Sequence, residues 1–276
     1  MEPHGTTFGS DCDQPLVSCL MVTMPVAIRL PMLRRSLAAY CAQTYANREL
    51  VIVVDTADAA AAEPIRAEVA ALGHGDIRIV LPEAKLSLGA LRNLSWSAAR
   101  GAVICQWDDD DLTHPDRLAE QLAALRGSGK PACYLQEFVQ FFPGVRRLYK
   151  VNFRVSPDQV AVNTLMCLRD LAVRYPETGE VSARGEDAAL VAQIRDAGGY
   201  HALPDMAHLY VYVSHGQNTW DDGHHRMLVE KMGVSAGLLR RSEAALRAGL
   251  APFDFGHGDV VVTGRNGDAF ILEAGR

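Results

Sequence analysis

The strongest constraint on the fold of this chain is an alternation, in its first half, of short apolar runs with segments of helical periodicity. The run 50–54 consists of consecutive apolar, mostly β-branched residues, which is typical of a parallel strand covered on both faces. Strands that alternate with helices predict an α/β fold, in which a mostly parallel, Rossmann-like sheet is flanked by helices. The predicted strands are 16–23, 50–54, 77–81 and 102–107, and the predicted helices are 30–45, 59–72, 87–99 and 116–126.

The second half of the chain has a different character. Residues 133–155 are rich in Phe, Tyr, Val and Arg, which predicts two or three mixed strands with a turn at Pro143 and Gly144. Beyond them we expect helices at 163–173 and 186–197, a strand at 209–213, a helical tail over 226–250 and a hairpin over 259–273. The chain then divides into a flexible tail (1–14), a first half (15–130), a second half (131–225) and a C-terminal helical and hairpin extension (226–276).

Composition excludes several classes of protein. The formal net charge is -6, whereas nucleic-acid-binding proteins normally carry an excess of basic residues. No run reaches the roughly 18 apolar residues of a membrane span, and the N-terminal residues lack the cationic flank and apolar segment of a signal peptide. The six cysteines form no Cys-x-x-Cys pair, so we expect buried thiols rather than disulfides. We therefore predict a cytoplasmic protein with no integral membrane segment and no nucleic-acid partner.

The most informative polar feature is the acidic run Asp108, Asp109, Asp110 and Asp111, which directly follows the predicted strand 102–107. Two carboxylates about 4 Å apart repel each other by about 1 kcal/mol in water, and a bound cation relieves this repulsion. Ends of parallel strands are also where α/β folds bind ligands. Oxygen ligands favour Mg²⁺ or Mn²⁺ shared with a phosphate-bearing substrate. A solvated turn is the alternative interpretation.

The sequence fits neither the common calcium-binding loop nor the common phosphate-binding loops. Counting from Asp109 places His114 where an EF-hand loop needs glycine. Neither of the common glycine-rich phosphate-binding motifs occurs. We therefore expect phosphate groups to be held mainly through the metal.

Five short motifs follow one another along residues 15–225 in a distinctive order. They are Thr23; Val53, Val54 and Asp55; Gly89 with Arg92 and Asn93; the acidic run with Pro115; and Gly185, Glu186 and Asp187. This order resembles glycosyltransferase family 2, the inverting enzymes of the GT-A fold. The resemblance implies that 15–130 is a nucleotide-sugar-binding half and that 131–225 is an acceptor and catalytic half.

On the nucleotide side, the resemblance gives five residues a role. It implies that Asp55 hydrogen-bonds the nucleobase, with Thr23 and Pro25 beside it. It also implies that Arg92 and Asn93 contact the nucleotide sugar.

The resemblance divides the acidic run between nucleotide and metal. Asp108 and Asp109 are expected to face the ribose and the diphosphate, and Asp110 to bind Mn²⁺ or Mg²⁺. Asp111 is expected to serve the turn that follows. His215 lies in a segment similar to the His-Gly-x-Asn of the family, which makes it a candidate second metal ligand, with a structural histidine as the alternative.

The pair Glu186 and Asp187 is implied to be catalytic. Asp187 would be the general base that takes the proton from the acceptor hydroxyl, and Glu186 would support the site or the acceptor. The metal would stabilise the leaving diphosphate, and the anomeric carbon would be inverted. A favourable interaction of the two carboxylates with a helix N-terminus is the alternative.

Together these features predict a metal-dependent inverting glycosyltransferase. It would move a sugar from a nucleoside diphosphate, foremost a UDP-sugar, to the hydroxyl of a glycan, a lipid-linked molecule or a small molecule. Homo-oligomers are possible. The alternatives are a sugar-nucleotide nucleotidyltransferase and a non-catalytic nucleotide-sugar- or carbohydrate-binding module of the same fold.

The sequence does not assign a role to two tryptophans and two histidines. Trp107 and Trp220 could each stack on a sugar or a base, although the position of Trp107 in a strand favours core packing. His224 and His225 are neighbours in sequence and would point about 100° apart on a helix. We therefore do not expect them to share a zinc ion.

Overall fold

The computed structural model describes residues 14–274, which form two β-sheets with helices packed against them. The predicted tail therefore lies outside the described residues, apart from its last residue. The strands are β1 (Val17–Thr23), β2 (Arg48–Val54), β3 (Ile77–Val80), β4 (Val103–Gln106), β5 (Leu112–Thr113), β6 (Ala132–Leu135), β7 (Glu137–Phe142), β8 (Arg147–Asn152), β9 (Met166–Leu168), β10 (His201–Leu203), β11 (Tyr210–Val213), β12 (Val260–Gly264) and β13 (Gly267–Leu272). The α-helices are α1 (Leu30–Cys41), α2 (Glu63–Leu72), α3 (Leu88–Ala98), α4 (Arg117–Ser128), α5 (Glu186–Asp196), α6 (Asp222–Met232), α7 (Ala236–Arg241) and α8 (Glu243–Leu250).

The first sheet contains seven strands in the order β10-β6-β9-β4-β1-β2-β3. Strands β4, β1, β2 and β3 run parallel, so their carboxyl ends lie at one edge of the sheet. Cys19 in β1 pairs with Leu50 on β2 and with Cys105 on β4. Asp55 directly follows β2, and Asp108 lies two residues beyond β4. Both carboxylates therefore stand at the same edge.

Apolar side chains cover both faces of the first sheet, which explains the continuous apolar runs of its strands. One face packs against α1 and α4 through the buried side chains of Leu33, Leu118 and Leu125. The other face packs against α3 and α5 through Trp96 and Leu190. This packing fixes α3 and α5, two helices that carry candidate site residues.

Helix α3 lies very close to the backbone of a neighbouring segment. A Cβ on Gly89 would lie 1.9 Å from the carbonyl oxygen of Pro176, so this approach requires glycine. Ser87 caps the helix, because its hydroxyl accepts a hydrogen bond from the Ala90 amide at 3.2 Å. These contacts set the position of Arg92, about one turn further along the helix.

The second sheet contains six strands in the order β13-β12-β8-β7-β11-β5. Strand β5 follows the acidic run immediately and pairs with β11, so the chain passes from the first sheet to the second at this point. Helices α7 and α8 pack on this sheet, and α6 contacts β8. The acidic run therefore lies between the two sheets. The predicted hairpin over 259–273 is confirmed by the antiparallel pair β12 and β13.

The α/β class, the mixed strands within 133–155 and the helical tail over 226–250 are confirmed, whereas the predicted helix 163–173 is wrong. Residues 163–173 form a short 3₁₀ turn (Val162–Thr164) and strand β9, because the apolar residues 165–168 fill the space between β4 and β6. The tail 226–250 is divided into α6, α7 and α8, because the backbone at Gly233 and Val234 pairs with β8. Strands β5 and β10 are too short to show periodicity in the sequence.

The thiols follow the prediction where they are described. Cys19, Cys105, Cys133 and Cys167 are buried and free, Cys41 is half-buried and free, and Cys12 lies outside the described residues. Within residues 14–274, no helix is both long and apolar enough to cross a membrane. The division of the chain at 130 and 225, the cytoplasmic location and the possible homo-oligomer remain predictions.

Candidate active site between the two sheets

A cavity of about 540 Å³ opens between the carboxyl ends of β1, β2 and β4 and the second sheet. This volume is typical of a small-molecule site. One side is lined by Thr23, Asp55, Arg92, the acidic run 108–111, Glu186 and Asp187. The other side is lined mainly by apolar and aromatic residues of β7, β11, α6 and the segment 153–162. The fold therefore gathers most of the predicted site residues around one space.

Asp109 is buried and held by two partners from the chain at and beyond the end of β1. The Thr23 hydroxyl donates to Asp109 Oδ2 at 2.5 Å, and Arg29 Nε donates to the same oxygen at 3.1 Å. Burial raises the pKa of Asp109 and the charge of Asp110 adds to the rise, while Arg29 opposes it. Asp109 therefore lies in the cavity wall as part of a network with a built-in cation.

Asp110 has two partners on the same oxygen. Its Oδ2 accepts a hydrogen bond from Arg29 Nη2 at 2.9 Å and lies 3.0 Å from His215 Nε2. Burial raises the pKa of Asp110, but His215 and Arg29 outweigh it, so the pKa lies below its ordinary value. The Gln217 amide donates to His215 Nδ1 at 3.2 Å. A neutral His215 therefore carries its proton on Nε2 and donates it to Asp110.

The Asp110 and His215 pair suits a divalent cation. Neighbouring ligands of an octahedral ion at about 2.1 Å lie roughly 3.0 Å apart, and the Asp110 Oδ2 to His215 Nε2 distance is 3.0 Å. No group of three or more His, Cys, Asp or Glu side chains that could hold a metal occurs among residues 14–274. If a divalent cation bound here, this pair would supply one carboxylate and one imidazole, and the other ligands would have to come from substrate and water.

The remaining aspartates of the run are held by β11. The Tyr210 hydroxyl donates to Asp108 Oδ2 at 2.9 Å and also hydrogen-bonds Asp111. Asp111 Oδ1 accepts a further hydrogen bond from the Val213 amide at 2.7 Å. Burial, followed by the charges of Asp110 and Asp108, raises the pKa of Asp111 well above its ordinary value. Asp111 thus joins the acidic run to the second sheet, rather than serving the turn that follows it.

Arg92 joins the acidic run to the predicted catalytic pair. Its Nε lies 3.0 Å from Glu186 Oε1 and 3.7 Å from Asp187 Oδ1, and its Nη1 lies 3.5 Å from Asp108 Oδ1. Gly185 precedes the pair with a φ of 93°, a left-handed conformation that favours glycine and starts α5. Of this pair, Glu186 is hydrogen-bonded to Arg92, whereas Asp187 lines the cavity with an acceptor atom that has no hydrogen-bond partner within the described residues.

Asp187 is poised to exchange a proton near neutral pH. Burial raises the pKa of Asp187 to about 7; Arg92 opposes this rise, and the charges of Glu186 and Asp108 add to it. Its Oδ1 is buried and has no hydrogen-bond partner within the described residues. A carboxylate with these properties can accept a proton from a bound hydroxyl group.

Asp55 stands at the end of β2 with one oxygen occupied. Its Oδ2 forms an ion pair with Lys85 Nζ, whose side chain is 74% exposed. Its Oδ1 is buried and has no partner in the described part of the chain. An unpaired buried acceptor costs about 1–3 kcal/mol, so this atom is a candidate contact for a ligand donor.

Three predicted site residues, Asn93, Pro25 and His215, do not line the cavity. The Asn93 amide donates to Tyr175 O at 2.9 Å and to Glu177 Oε1 at 2.8 Å, and Asn93 Oδ1 accepts from the Tyr175 amide at 2.9 Å. Asn93 therefore secures the segment 175–177 beside α3. Pro25 does not line the cavity, whereas its neighbour Met24 does.

The two tryptophans differ in position. Trp220 lies at the cavity rim, but its ring already contacts the Arg184 guanidinium, 3.9 Å from the centroid, and stacks on the His224 ring at 4.3 Å. Trp220 is nevertheless 37% exposed, so part of the residue remains accessible at the rim. Trp107 is fully buried and packs edge-on against Tyr40, with centroids 5.9 Å apart, as its position in the sequence favours.

Three contributors to the carboxylate network belong to none of the motifs. The sequence could have predicted a site role for Arg29, since it is the first basic residue after β1, at the edge where parallel sheets bind ligands. No sequence feature indicates such a role for Lys85 or Tyr210. The Tyr210 hydroxyl meets Asp108 across a separation of 102 residues, which no local pattern encodes.

Comparison with known proteins adds a family and a fold. The family described as Glycosyl transferase family 2 matches residues 21–166. No curated protein matches the chain. The mannosyltransferase PcManGT from Pyrobaculum calidifontis, in complex with GDP-Man and Mn²⁺, superposes with a TM-score of 0.57 at 17% identity, over 90% of this chain and 67% of that chain.

A second similar structure is S. aureus TarS, residues 1–349. Its complex with UDP-GlcNAc superposes with a TM-score of 0.56 at 12% identity, over 86% of this chain and 67% of that chain. Another structure of the same TarS fragment gives a TM-score of 0.51 at 15% identity, over 83% of this chain and 73% of that chain. At these identities the likeness concerns the fold, and it confirms the GT-A type of α/β architecture.

Proposed function

The chain belongs to glycosyltransferase family 2, which matches more than half of its residues, and on this premise we propose a metal-dependent inverting sugar transfer. The donor is a nucleoside diphosphate sugar, foremost a UDP-sugar, and the acceptor is a hydroxyl group. The observation that carries the proposal is Asp187, which lines the same cavity as the acidic run and whose buried Oδ1 has no hydrogen-bond partner within the described residues.

Asp187 acts as the general base. It removes the proton from the acceptor hydroxyl as that oxygen bonds to the anomeric carbon and the bond from this carbon to the diphosphate breaks. The attack comes from the side opposite the leaving group, so the configuration is inverted. The pKa of about 7 leaves Asp187 largely ionised at slightly alkaline pH and basic enough to hold the proton. Glu186 supports the site through its ion pair with Arg92.

Asp110 and His215 hold a divalent cation, Mn²⁺ or Mg²⁺. Their 3.0 Å separation supports this assignment, as does the Mn²⁺ in the PcManGT complex. When bound, the ion supplies positive charge that stabilises the leaving diphosphate. Ligation through His215 Nε2 would require the ring proton to lie on Nδ1, which would then have to give up the hydrogen bond from the Gln217 amide. Asp110 is therefore the stronger of the two ligands.

The nucleotide lies along the ends of β1, β2 and β4. Asp55 Oδ1 accepts a hydrogen bond from the nucleobase beside Thr23 and Pro25, and its lack of a partner in residues 14–274 supports this role. Asp108 and Asp109 face the ribose and diphosphate side. Arg92 places positive charge next to the nucleotide sugar. Asn93 acts indirectly on nucleotide-sugar binding, because it holds the segment 175–177 in place.

The complexes of the similar structures suggest which donors to compare. TarS is seen with UDP-GlcNAc and PcManGT with GDP-Man, so a uridine and a guanosine donor are the first two candidates. A screen of nucleotide sugars for slow hydrolysis, with Mn²⁺ or with a chelator, tests the function. We expect one nucleobase to give hydrolysis that the chelator abolishes and that Asp110→Asn strongly reduces. If no nucleotide sugar is hydrolysed or stabilises the protein against heat in the presence of Mn²⁺, the proposal is wrong.

A further inference from the structure

Away from the carboxylates, the cavity lining includes six apolar or aromatic residues. They are Phe138, Phe153, Val160, Tyr212, Leu228 and Met232, which we call the aromatic wall. They come from β7, the segment 153–162, β11 and α6. The aromatic wall belongs to the same cavity as Asp187, so a molecule that rests on it has its reactive hydroxyl within the same space as the base.

The rings of the aromatic wall support one another. Phe138 stacks on Tyr212 with centroids 5.6 Å apart and an interplanar angle of 18°. Phe153 meets Phe138 edge-on, with centroids 5.0 Å apart. Leu228 and Met232 lie four residues apart on α6 and therefore project from one face of that helix. The flexible methionine side chain lets such a surface adapt to the shape of a ligand.

Three polar side chains near the aromatic wall, those of Asn163, Asp158 and Ser156, are already paired within the protein. Asn163 Nδ2 donates to the Tyr210 hydroxyl at 3.1 Å. Asp158 Oδ1 accepts from Arg195 Nη1 at 2.8 Å. The Ser156 hydroxyl donates to the Phe153 carbonyl at 2.8 Å. A sugar ring placed here would lose water from several hydroxyl groups and find few partners for them, which is unfavourable.

His225 differs from these three polar residues. Its Nε2 lies 3.1 Å from the Tyr212 hydroxyl, and its buried Nδ1 has no partner in the part of the chain that the structure describes. The ring lines the cavity and is 1% exposed. It offers a polar contact beside the aromatic wall, which suits a ligand with an oxygen next to an apolar group.

We propose that the acceptor carries an apolar ring or chain beside its reactive hydroxyl, and that this apolar part binds against the aromatic wall with one polar contact to His225. A polar oligosaccharide is thereby disfavoured as the group that occupies this side of the cavity. This inference rests on the proposed transferase function, because it names the acceptor class of the same site.

Two glycosides that differ only in the aglycone test the acceptor class. The probes are 4-nitrophenyl β-D-glucopyranoside and methyl β-D-glucopyranoside, each titrated calorimetrically into the full chain with UDP and Mn²⁺ present. Both offer the same sugar hydroxyls, so a difference in affinity reports on the aglycone. We expect the aryl glycoside to bind at least about tenfold more tightly, since burial of apolar area favours it.

Variants of α6 locate the preference. Leu228→Ser should reduce the affinity ratio of the two glycosides by about threefold or more, whereas Leu228→Met should retain it because the side chain stays apolar. The matched control is Leu238→Ser on α7, where the leucine is 53% exposed and does not line the cavity. This control should keep the ratio of the unmodified protein. Circular dichroism melts verify folding, and Met232→Ser replaces Leu228→Ser if the latter unfolds.

Each outcome decides the inference separately from the function. Three results would each overturn the inference that the acceptor is apolar. They are an affinity ratio near one in the unmodified protein, no binding of the aryl glycoside at millimolar concentration, and an unchanged ratio in the folded serine variant. The nucleotide-sugar hydrolysis screen, which needs no acceptor, tests the transferase function by itself. Hydrolysis without an aryl preference would therefore leave the proposed function standing and remove the acceptor class.

Discussion

The two sides of the cavity present opposite chemistry to one small space. The side at the first sheet is a network of carboxylates, Asp55 and the acidic run, with Arg29 and Arg92 among them. The aromatic wall is apolar, and its neighbouring polar groups are mostly paired. Charged groups suit the proposed phosphate-bearing donor with its cation, whereas an apolar surface would exclude water from the place of the proposed hydroxyl attack. Asp187 lines this space and is the residue expected to connect the two chemistries.

The two sides also differ in how the chain builds them. The carboxylates follow strand ends directly, so each is placed by the strand that precedes it. The aromatic wall is assembled from four separate elements and depends on the packing of α6 and the second sheet. Substitutions that act on one side and not on the other are therefore the way to test whether the two chemistries are separable.

The largest effect is expected at Asp187, because both sides depend on it. Asp187→Asn removes the proton acceptor with little change in shape, so kcat of transfer should fall by about 10³-fold while donor binding persists. Steady-state kinetics and nucleotide titration measure the two quantities. Asp196→Asn, at the exposed end of the same helix, is the control and should behave as the unmodified protein. Comparable activity in the two variants would remove Asp187 as the base.

A smaller but still large effect is expected at the proposed metal pair. Asp110→Asn should lower kcat/KM by about 10²-fold and raise the Mn²⁺ concentration required, because the strongest protein ligand is lost. His215→Gln should have the lesser effect, since the imidazole must first give up its contact with Gln217. The measurement is activity against Mn²⁺ concentration. Asp170→Asn, at a side chain 79% exposed, controls for the loss of one charge. An unchanged Mn²⁺ dependence in Asp110→Asn would contradict the assignment.

The pH dependence should follow the pKa of Asp187. Since burial raises this pKa to about 7 and the base must be ionised, kcat/KM should fall by about tenfold per pH unit below pH 7 and level off above it. A pH profile of the unmodified protein measures this limb. In Asp187→Asn the residual activity should lack it, and persistence of the same limb would assign it to another group.

Ionisation of Asp187, which should raise activity as pH rises, should at the same time lower the stability of the folded protein. The pKa of Asp187 is about 7 in the folded protein against 3.8 for an ordinary aspartate, so the folded state holds the proton more strongly. Its contribution to stability is complete below pH 3.8 and is lost as pH rises through 7. Asp187→Asn should therefore melt at a higher temperature than the unmodified protein at pH 8, with the difference shrinking towards pH 4. Scanning calorimetry at both pH values measures this difference, and an equal difference at both would contradict the raised pKa.

The smallest of these effects is expected at Asp55, on the nucleotide side alone. Asp55→Ala should raise KM for the nucleotide sugar by about tenfold with little change in kcat, because one hydrogen bond to a buried acceptor is lost. Asp58→Ala, an exposed aspartate three residues further on, is the matched control. The affinity ratio of the two glycosides should be the same in both variants. A change of that ratio in Asp55→Ala alone would show that the two sides of the cavity are not separable.

Sequence patterns predicted the elements better than the contacts among them. Strands β1 to β4 and helices α1, α3 and α5 lie close to their predicted positions, because periodicity and strand-end residues are local signals. The wrong helix at 163–173 shows the limit of this reasoning. A short apolar run is compatible with helix or strand. Residues 166–168 form strand β9 because they pair with β4 on one side and with β6 on the other.

By itself, the sequence determined that this chain forms an α/β sheet with carboxylates at its strand ends and with Glu186 and Asp187 at the start of a helix. Only the tertiary structure decided which carboxylate is tied to which partner: Asp111 to β11, Glu186 to Arg92, and Asp110 to His215. The physical reason is that backbone periodicity is encoded over a few neighbouring residues. The pKa and the free atoms of a buried carboxylate instead depend on groups far along the chain, which packing brings within hydrogen-bond distance.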